Sequence, residues 1–142
     1  MGRILGIDHG DRWFGLALSD VSQTIARPLE RARAQELWDR LEVLVSEEDV
    51  EAVVVGLPRN MDGTEGPRAR LARAFAERLA SRSGLPVETW DERLTTVEAE
   101  RRLRRRGTSP ERRRAKVDSE AAQILLQSFL DARSRKQALE ET

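Results

Sequence analysis

Short apolar stretches with a two-residue period occupy the first part of the chain and predict strands. Residues 3–9 (RILGIDH) form an apolar run, and residues 13–19 (WFGLALS) alternate large and small side chains. The connection between them, residues 10–12, is short enough to predict a hairpin. A weaker third strand is predicted over residues 24–29, where Pro28 favours the edge of a sheet.

Helical periodicity begins near residue 36 and then alternates with two more strands. Residues 36–47 place leucine and valine at helical spacing, and residues 50–56 (VEAVVVG) form a β-branched run typical of a buried strand. Residues 67–83 begin with proline and predict a helix, and residues 85–91 predict the last strand. The apolar stripe of the second helix consists of Leu71, Phe75 and Leu79.

Three helical segments are predicted after the last strand. A capping box opens a helix over residues 95–106, Pro110 fits the start of a short one, and a final helix covers about residues 117–134. This order predicts an α/β fold with a mixed central sheet and helices on both faces. Residues 1–136 are predicted to form a single domain, followed by a frayed tail over residues 137–142.

Three acidic positions fall at the ends of these elements. Asp8 ends the first strand, and Asp91 and Glu92 end the last one; strand parity leaves open which of these two faces inward. Asp118 lies at the sheet-facing end of the apolar stripe of the final helix, where it could also serve only as a cap. A turn-capping Asp and a surface ion pair are the structural alternatives for the two strand ends. The stripe consists of Ala121, Ala122, Leu125, Phe129 and Ala132.

Composition narrows the chemistry that this chain can perform. Its 142 residues include no cysteine, no tyrosine and one histidine, which excludes disulfides, thiolate metal sites and His-cluster zinc enzymes. No run of 18 apolar residues could span a membrane and no secretory segment follows Met1, so we expect a cytoplasmic protein. Carboxylates, hydroxyls, amides and arginines are left to carry any reaction.

The formal net charge of zero conceals one dense cationic stretch, residues 101–116, which we call the basic segment. It holds nine basic residues and one acidic residue, a net charge of +8 that the other 126 residues balance with −8. Such a stretch is typical of contacts with phosphates, although a solvated arginine-rich helix face has the same composition. Its basic residues are Arg101, Arg102, Arg104, Arg105, Arg106, Arg112, Arg113, Arg114 and Lys116.

Carboxylates from two strand ends and one helix could together form an oxygen-ligand site. Hard divalent cations, Mg²⁺ or Mn²⁺, prefer such ligands and keep positions open for water and phosphate. Two such ions about 4 Å apart can activate a water and stabilise the leaving oxygen of a phosphodiester. The basic segment would then hold a polyanionic substrate.

Five sequence blocks give these positions a family context, because together they resemble the YqgF/RuvX family. The similarity spans nearly the whole chain. Members have an RNase H-like fold and are described as Holliday junction resolvases or pre-16S rRNA nucleases. The blocks are residues 6–10 (GIDHG), 15–20 (GLALSD), 55–65 (VGLPRNMDGTE), 91–99 (DERLTTVEA) and 116–127 (KVDSEAAQILLQ).

The resemblance implies a role for each matched acid. Asp8 matches the metal ligand of the first strand, Glu92 the second ligand and Asp118 the acid of the C-terminal helix. Glu92 is preferred over Asp91 on this ground alone. Arg59 and Asn60 lie in a loop that could contact substrate phosphates or form only a structural turn. His9 should point away from Asp8, which favours a structural role.

The leading hypothesis is therefore a metal-dependent endonuclease that cleaves structured nucleic acid, either branched DNA or an rRNA precursor. A junction has two-fold symmetry, so junction cleavage would favour a homodimer. The first alternative is a non-catalytic nucleic-acid or ribosome-associated module that retains the acids for stability. A second alternative, a fragment of a sugar kinase or actin-like ATPase, would need a second domain to bind ATP.

Overall fold

The computed structural model describes residues 2–91 and 110–141, with side chains from residue 116 onward in the second range. Five strands and three α-helices are formed within these residues. The strands are β1 (Arg3–Asp8), β2 (Trp13–Ser19), β3 (Ala26–Arg33), β4 (Val50–Leu57) and β5 (Val87–Asp91). The helices are α1 (Leu37–Glu47), preceded by a 3-10 turn, α2 (Pro67–Ser83) and α3 (Pro110–Glu140).

The strands form one mixed sheet in the order β3-β2-β1-β4-β5. The β1–β2 and β2–β3 pairs are antiparallel, as the short connections require, and the β1–β4 and β4–β5 pairs are parallel. Parallel neighbours need a crossover, which α1 and α2 supply. The carboxyl ends of β1, β4 and β5 therefore meet at one edge of the sheet.

Each face of the sheet packs against its own helices, which confirms the predicted fold class. Leu5 and Ile7 of β1 lie in the cluster that includes residues of α1 and α2, such as Leu41 and Phe75. Ile4 lies in the opposite cluster, where α3 contributes its apolar side. Alternation along the strand separates the two sets, because successive side chains point to opposite faces. The α3 residues in this cluster are Ala122, Leu126, Phe129 and Leu130.

The predicted stripe of α2 is partly wrong, although the helix bounds are confirmed. Pro67 occupies the first turn, and Gly84 ends the helix in the left-handed region with φ 71°. Leu71 is 55% exposed. Ala69 and Ala72 are buried in its place, because small side chains let the first half of α2 lie close to β4, where they contact Leu57.

The C-terminal helix differs most from its predicted bounds. One continuous helix, α3, begins at Pro110 and replaces the predicted short helix and final helix. It continues beyond the expected end at residue 134, and the predicted fraying of residues 137–142 stays a prediction. The helix predicted over residues 95–106 lies outside the described residues. The strand predicted over residues 24–29 is β3, shifted toward the C-terminus and located at a sheet edge as expected.

Two glycines allow α3 to lie unusually close to the β1–β2 hairpin. A Cβ on Gly6 would stand 2.9 Å from the Cβ of Leu126. A Cβ on Gly15 would stand 2.0 Å from the backbone carbonyl oxygen of Asp118, a distance that no real contact has. Glycine is therefore required where α3 crosses the hairpin.

In the part of the chain that the structure describes, no helix combines the length and the apolar character needed to cross a membrane.

The substitution Gly15→Ala should destabilise the fold strongly, because the new Cβ would overlap the Asp118 carbonyl oxygen, a backbone atom. We expect the free energy of unfolding to fall by about 3 kcal/mol or more, at the upper end of overpacking effects. Urea denaturation followed by circular dichroism measures this loss.

The matched control is Gly66→Ala, before α2. Its new Cβ would meet only side-chain atoms of Asn60, at 3.5 Å or beyond, which is an ordinary contact. We expect a change within about 1 kcal/mol. Equal stability of the Gly15→Ala and Gly66→Ala proteins would refute the close packing of α3.

Candidate active site

Asp8 ends β1 at the edge where the parallel strands finish. Its register partner in β2 is Gly15. Ile4 packs under α3, and a side chain at Gly6 would touch Leu126 of that helix. Because Asp8 has the same parity as Ile4 and Gly6, its side chain lies on the face that α3 covers.

Asp118 meets Asp8 across Gly15. The Asp118 carbonyl oxygen lies 2.0 Å from the Cβ position of Gly15, and the Cβ of Asp8 lies 3.3 Å from that same position. The two residues are therefore neighbours in the fold, although they are 110 positions apart in the sequence. The structure thus places the last residue of β1 next to the turn of α3 that contains Asp118.

Arg31 of β3 binds the Asp118 carboxylate directly. Its Nη1 donates a hydrogen bond of 2.9 Å to Oδ2, and both side chains are largely buried, at 21% and 31% exposed. Burial raises the pKa of the Asp118 carboxyl above its ordinary value, and the hydrogen bond and charge of Arg31 act in the opposite direction. Arg31 therefore keeps a desolvated carboxylate ionised more readily than burial alone would allow.

The Trp13 ring packs against the guanidinium group of Arg31. The guanidinium carbon of Arg31 lies 3.7 Å from the centre of the Trp13 indole, and that of Arg33 lies 5.2 Å away. These distances are in the range of cation–π contacts. Trp13, Arg31 and Asp118 therefore form a connected layer beside Asp8.

β5 ends at Asp91, at this same edge of the sheet. Trp90 faces α3, because its ring packs 5.5 Å from that of Phe129 and its Nε1 donates a hydrogen bond to Ser128. Val87 packs on the opposite core. Asp91 has the parity of Val87 and lies on the face away from α3. Glu92 itself lies outside the described residues.

The loop after β4 contains the predicted phosphate contacts Arg59 and Asn60. The Asn60 amide donates to the hydroxyl of Thr64 at 3.0 Å, and that hydroxyl also donates to Asp62 at 2.6 Å, so the side chain holds a tight turn. Arg59 lies 3.7 Å from the carboxylate of Glu65. Its Nε is buried without a hydrogen-bond partner among the described residues.

The basic segment is described only in its second half. Arg101, Arg102, Arg104, Arg105 and Arg106 lie outside the described residues. The backbone of Arg112, Arg113 and Arg114 belongs to α3, and Lys116 is exposed on that helix. Lys116 stands two residues before Asp118, about 3 Å along the helix axis. Part of the positive charge is thus built into the helix that carries the acid.

His9 packs on the face of the sheet opposite Asp8, as expected from strand parity. Its ring centre lies 4.8 Å from that of Phe14 and 5.4 Å from that of Phe75. Burial, together with the charge of Arg68, lowers the pKa of His9 below its ordinary value, against the opposing effect of Asp11. The neutral imidazole is therefore favoured, and it packs as an aromatic ring.

Comparison with known proteins identifies the family to which this sequence is similar. The profile of the RuvX family, described as Holliday junction resolvase, matches residues 2–132. The chain belongs to the RuvX family. The match confirms the resemblance and the enzyme class, a nuclease, and it argues against the sugar-kinase interpretation.

Relatives and solved structures agree with this assignment. A Symbiobacterium thermophilum protein named "Putative pre-16S rRNA nuclease" is 50% identical over 137 residues, covering 94% of this chain and 95% of its own. An Anaeromyxobacter sp. (strain Fw109-5) protein of the same name is 50% identical over 135 residues, covering 92% and 98%. Thermus thermophilus RuvC has a TM-score of 0.52 at 23% identity, covering 93% of this chain and 96% of its own, and supports the RNase H-like fold.

Nucleases of the RuvX type use divalent metal ions, and the described donors suit such ions. Asp8 and Asp118, which approach the same position beside Gly15, carry carboxylates, the ligand type that Mg²⁺ and Mn²⁺ prefer. Within residues 2–91 and 116–141, no three His, Cys, Asp or Glu side chains stand close enough to hold a metal. Asp8 and Asp118 are therefore neighbouring residues of a suitable ligand type, and no third described acid joins them.

Trp13 and Arg31 were not among the site residues predicted from the sequence, although Arg31 binds Asp118 and packs on Trp13. The signal for Trp13 was its parity, since positions 13, 15 and 17 share the face that α3 covers. Arg31 had no comparable signal, because its contact with Asp118 spans 87 residues and depends on how α3 crosses β3.

Replacing Arg31 with methionine should raise the pKa of the Asp118 carboxyl. The substitution removes the hydrogen bond and the positive charge that oppose burial, and burial alone favours the neutral acid. NMR titration of ¹³C-labelled carboxyl groups measures the shift. The Arg31→Lys protein, which keeps the charge, should shift less, and an unchanged or lower pKa in Arg31→Met would contradict this account.

Proposed function

We propose that this chain hydrolyses phosphodiester bonds of structured nucleic acid with a divalent metal held by Asp8, Glu92 and Asp118. The observation that carries the proposal is the meeting of Asp8 and Asp118 across Gly15, at the carboxyl edge of the parallel strands. Ligand and catalytic sites of α/β folds collect at this edge.

Glu92 is the acid that completes the proposed set. Asp91 lies on the face of the sheet away from α3, so it is on the wrong side to join Asp8. That position supports the preference for Glu92 that the family resemblance implies.

The side chains at this site have different proposed roles. A bound Mg²⁺ or Mn²⁺ would lower the pKa of a water and neutralise charge on the phosphate that is attacked. Asp8 and Asp118 would hold the ion, and Arg31 orients the Asp118 carboxylate through its 2.9 Å hydrogen bond. α3 and the sheet shield the acids from bulk water on one side, which strengthens electrostatic interactions there.

The basic segment is proposed to bind the nucleic-acid backbone. Lys116 is exposed within one turn of Asp118. The Arg59 side chain is 35% exposed beside Glu65, and its guanidinium is proposed to contact a phosphate oxygen. Asn60 is engaged in its own loop and is proposed to shape that loop around the substrate. Contacts of this kind position a backbone and do not read sequence.

The proposed substrate is an rRNA precursor. The support is the name of the relatives at 50% identity, which are matched over almost their entire length. The second candidate is a Holliday junction, supported by the description of the family. Two-fold symmetric cleavage of a junction would require two active sites, so we propose a homodimer for that case only. Both substrates fit the expected cytoplasmic location.

Cleavage of a substrate panel tests the proposal. Fluorescent pre-16S rRNA ends, four-way junctions and plain duplexes are incubated with the protein in Mg²⁺, Mn²⁺ or EDTA. We expect metal-dependent cleavage that falls at least about a hundredfold in the Asp8→Asn and Asp118→Asn proteins, because each loses a charged ligand.

The matched control is Asp131→Asn on the exposed side of α3, where the carboxylate accepts a hydrogen bond from Gln127. Its cleavage rate should match that of the unaltered protein. Cleavage that persists in the Asp8→Asn protein would overturn the proposed site. Salt-sensitive binding without any cleavage or Mn²⁺ binding would instead favour the non-catalytic module.

A further inference from the structure

A cleft of about 590 Å³ opens beside the acids, between β2, β3 and the first described turns of α3. Trp13 and Arg31 line one side, and Lys116 and Ser119, which flank Asp118, line the other. The volume lies in the range of sites that hold a small ligand. Arg31 links the cleft to the candidate active site, because it lines the cleft and donates a hydrogen bond to the Asp118 carboxylate.

Flat groups form one wall of this cleft. The Arg31 guanidinium stacks 3.7 Å from the centre of the half-buried Trp13 indole. Indole rings and guanidinium planes are the two side-chain surfaces on which unpaired nucleobases stack. This wall therefore offers a planar surface on which a base can stack.

The charges around the cleft suit one nucleotide. Lys116 on its rim and Arg33 behind Trp13 are positive and exposed. The exposed Glu30 and the buried Glu120 also line the cleft, so a phosphate is unfavourable beside these two carboxylates. A nucleotide whose uncharged base lies in the cleft and whose phosphate lies beside Lys116 would meet the positive charge and avoid the two carboxylates.

We propose that this cleft binds one unpaired nucleotide of the substrate, with its base stacked on the Trp13–Arg31 layer and its phosphate beside Lys116. The inference rests on the proposed function, which it deepens by adding a substrate preference. A base inside a duplex cannot reach the wall, since its faces are covered by neighbouring bases. The site therefore selects strands with unpaired nucleotides next to the cleaved bond, and it disfavours continuous duplex.

The chain contains a natural control for this arrangement. Arg82 of α2 stacks 4.1 Å from the centre of the Trp38 ring, an equivalent cation–π pair. Trp38 packs against the core cluster on the opposite face of the sheet, away from Asp8 and Asp118. A nonspecific effect of removing an aromatic–arginine pair would be seen equally at both places.

Binding is measured in the Asp8→Asn protein with EDTA, so that cleavage plays no part. The probes are a fluorescein-labelled 12-nucleotide single strand and a blunt duplex of the same sequence, followed by fluorescence anisotropy. We expect Trp13→Ala to weaken single-strand binding about tenfold, the scale of one stacked base, and duplex binding less than twofold. Arg82→Ala should change neither. Single-strand binding unaffected by Trp13→Ala, or an equal loss for both probes, would overturn the proposal.

A second measurement covers the case in which Trp13→Ala does not fold. The unaltered chain is photocrosslinked to a single strand that carries 5-iodouracil, and the adduct is located by mass spectrometry. Adducts on Trp13 support the site, and adducts confined to residues outside the cleft overturn it.

The two proposals fail in different ways. Absence of metal-dependent cleavage together with Trp13-dependent binding would refute the nuclease site and leave the nucleotide cleft intact. Cleavage that depends on Asp8 together with binding that ignores Trp13 would refute the cleft alone.

Discussion

The contact between Gly15 and the Asp118 carbonyl oxygen sets the geometry of the α3 face. Only a residue without a Cβ allows the helix backbone to come this close to the hairpin, and Gly6 permits the same approach at Leu126. The close approach delivers Asp118 to Asp8, buries the apolar side of α3 and leaves the first described turns of the helix beside β2 and β3. One packing constraint thus serves both the stability of the fold and the assembly of the acidic pair.

Electrostatics at the site follow from that packing. A carboxylate drawn toward the sheet loses hydration, and Arg31 compensates by donating to Oδ2 while its own planar group rests on Trp13. The formal net charge of zero is therefore an average over unlike regions. Asp8 and Asp118 lie where a cation is proposed to bind, and the last residues of the basic segment belong to α3 just before Asp118, where a phosphate backbone is proposed to approach.

Sequence patterns predicted the features that depend on interactions between residues close together in the chain. The β1–β2 hairpin, the parity that places Asp8 and His9 on opposite faces, and the bounds of α2 follow from periodicity and turn chemistry. Long-range packing decided the rest. The exposure of Leu71 depends on how closely α2 approaches β4, the unbroken α3 depends on support from the sheet, and the Arg31–Asp118 pair joins residues 87 positions apart.

Crystals of the protein grown with Mn²⁺ would test the central claim, that Asp8 and Asp118 share one cation, most directly. Anomalous scattering from manganese locates the ion without reference to activity. We expect a peak within bonding distance of carboxylate oxygens from both residues, and its loss in crystals of the Asp8→Asn protein. Manganese bound only at other positions, or bound by neither acid at millimolar concentration, would contradict it.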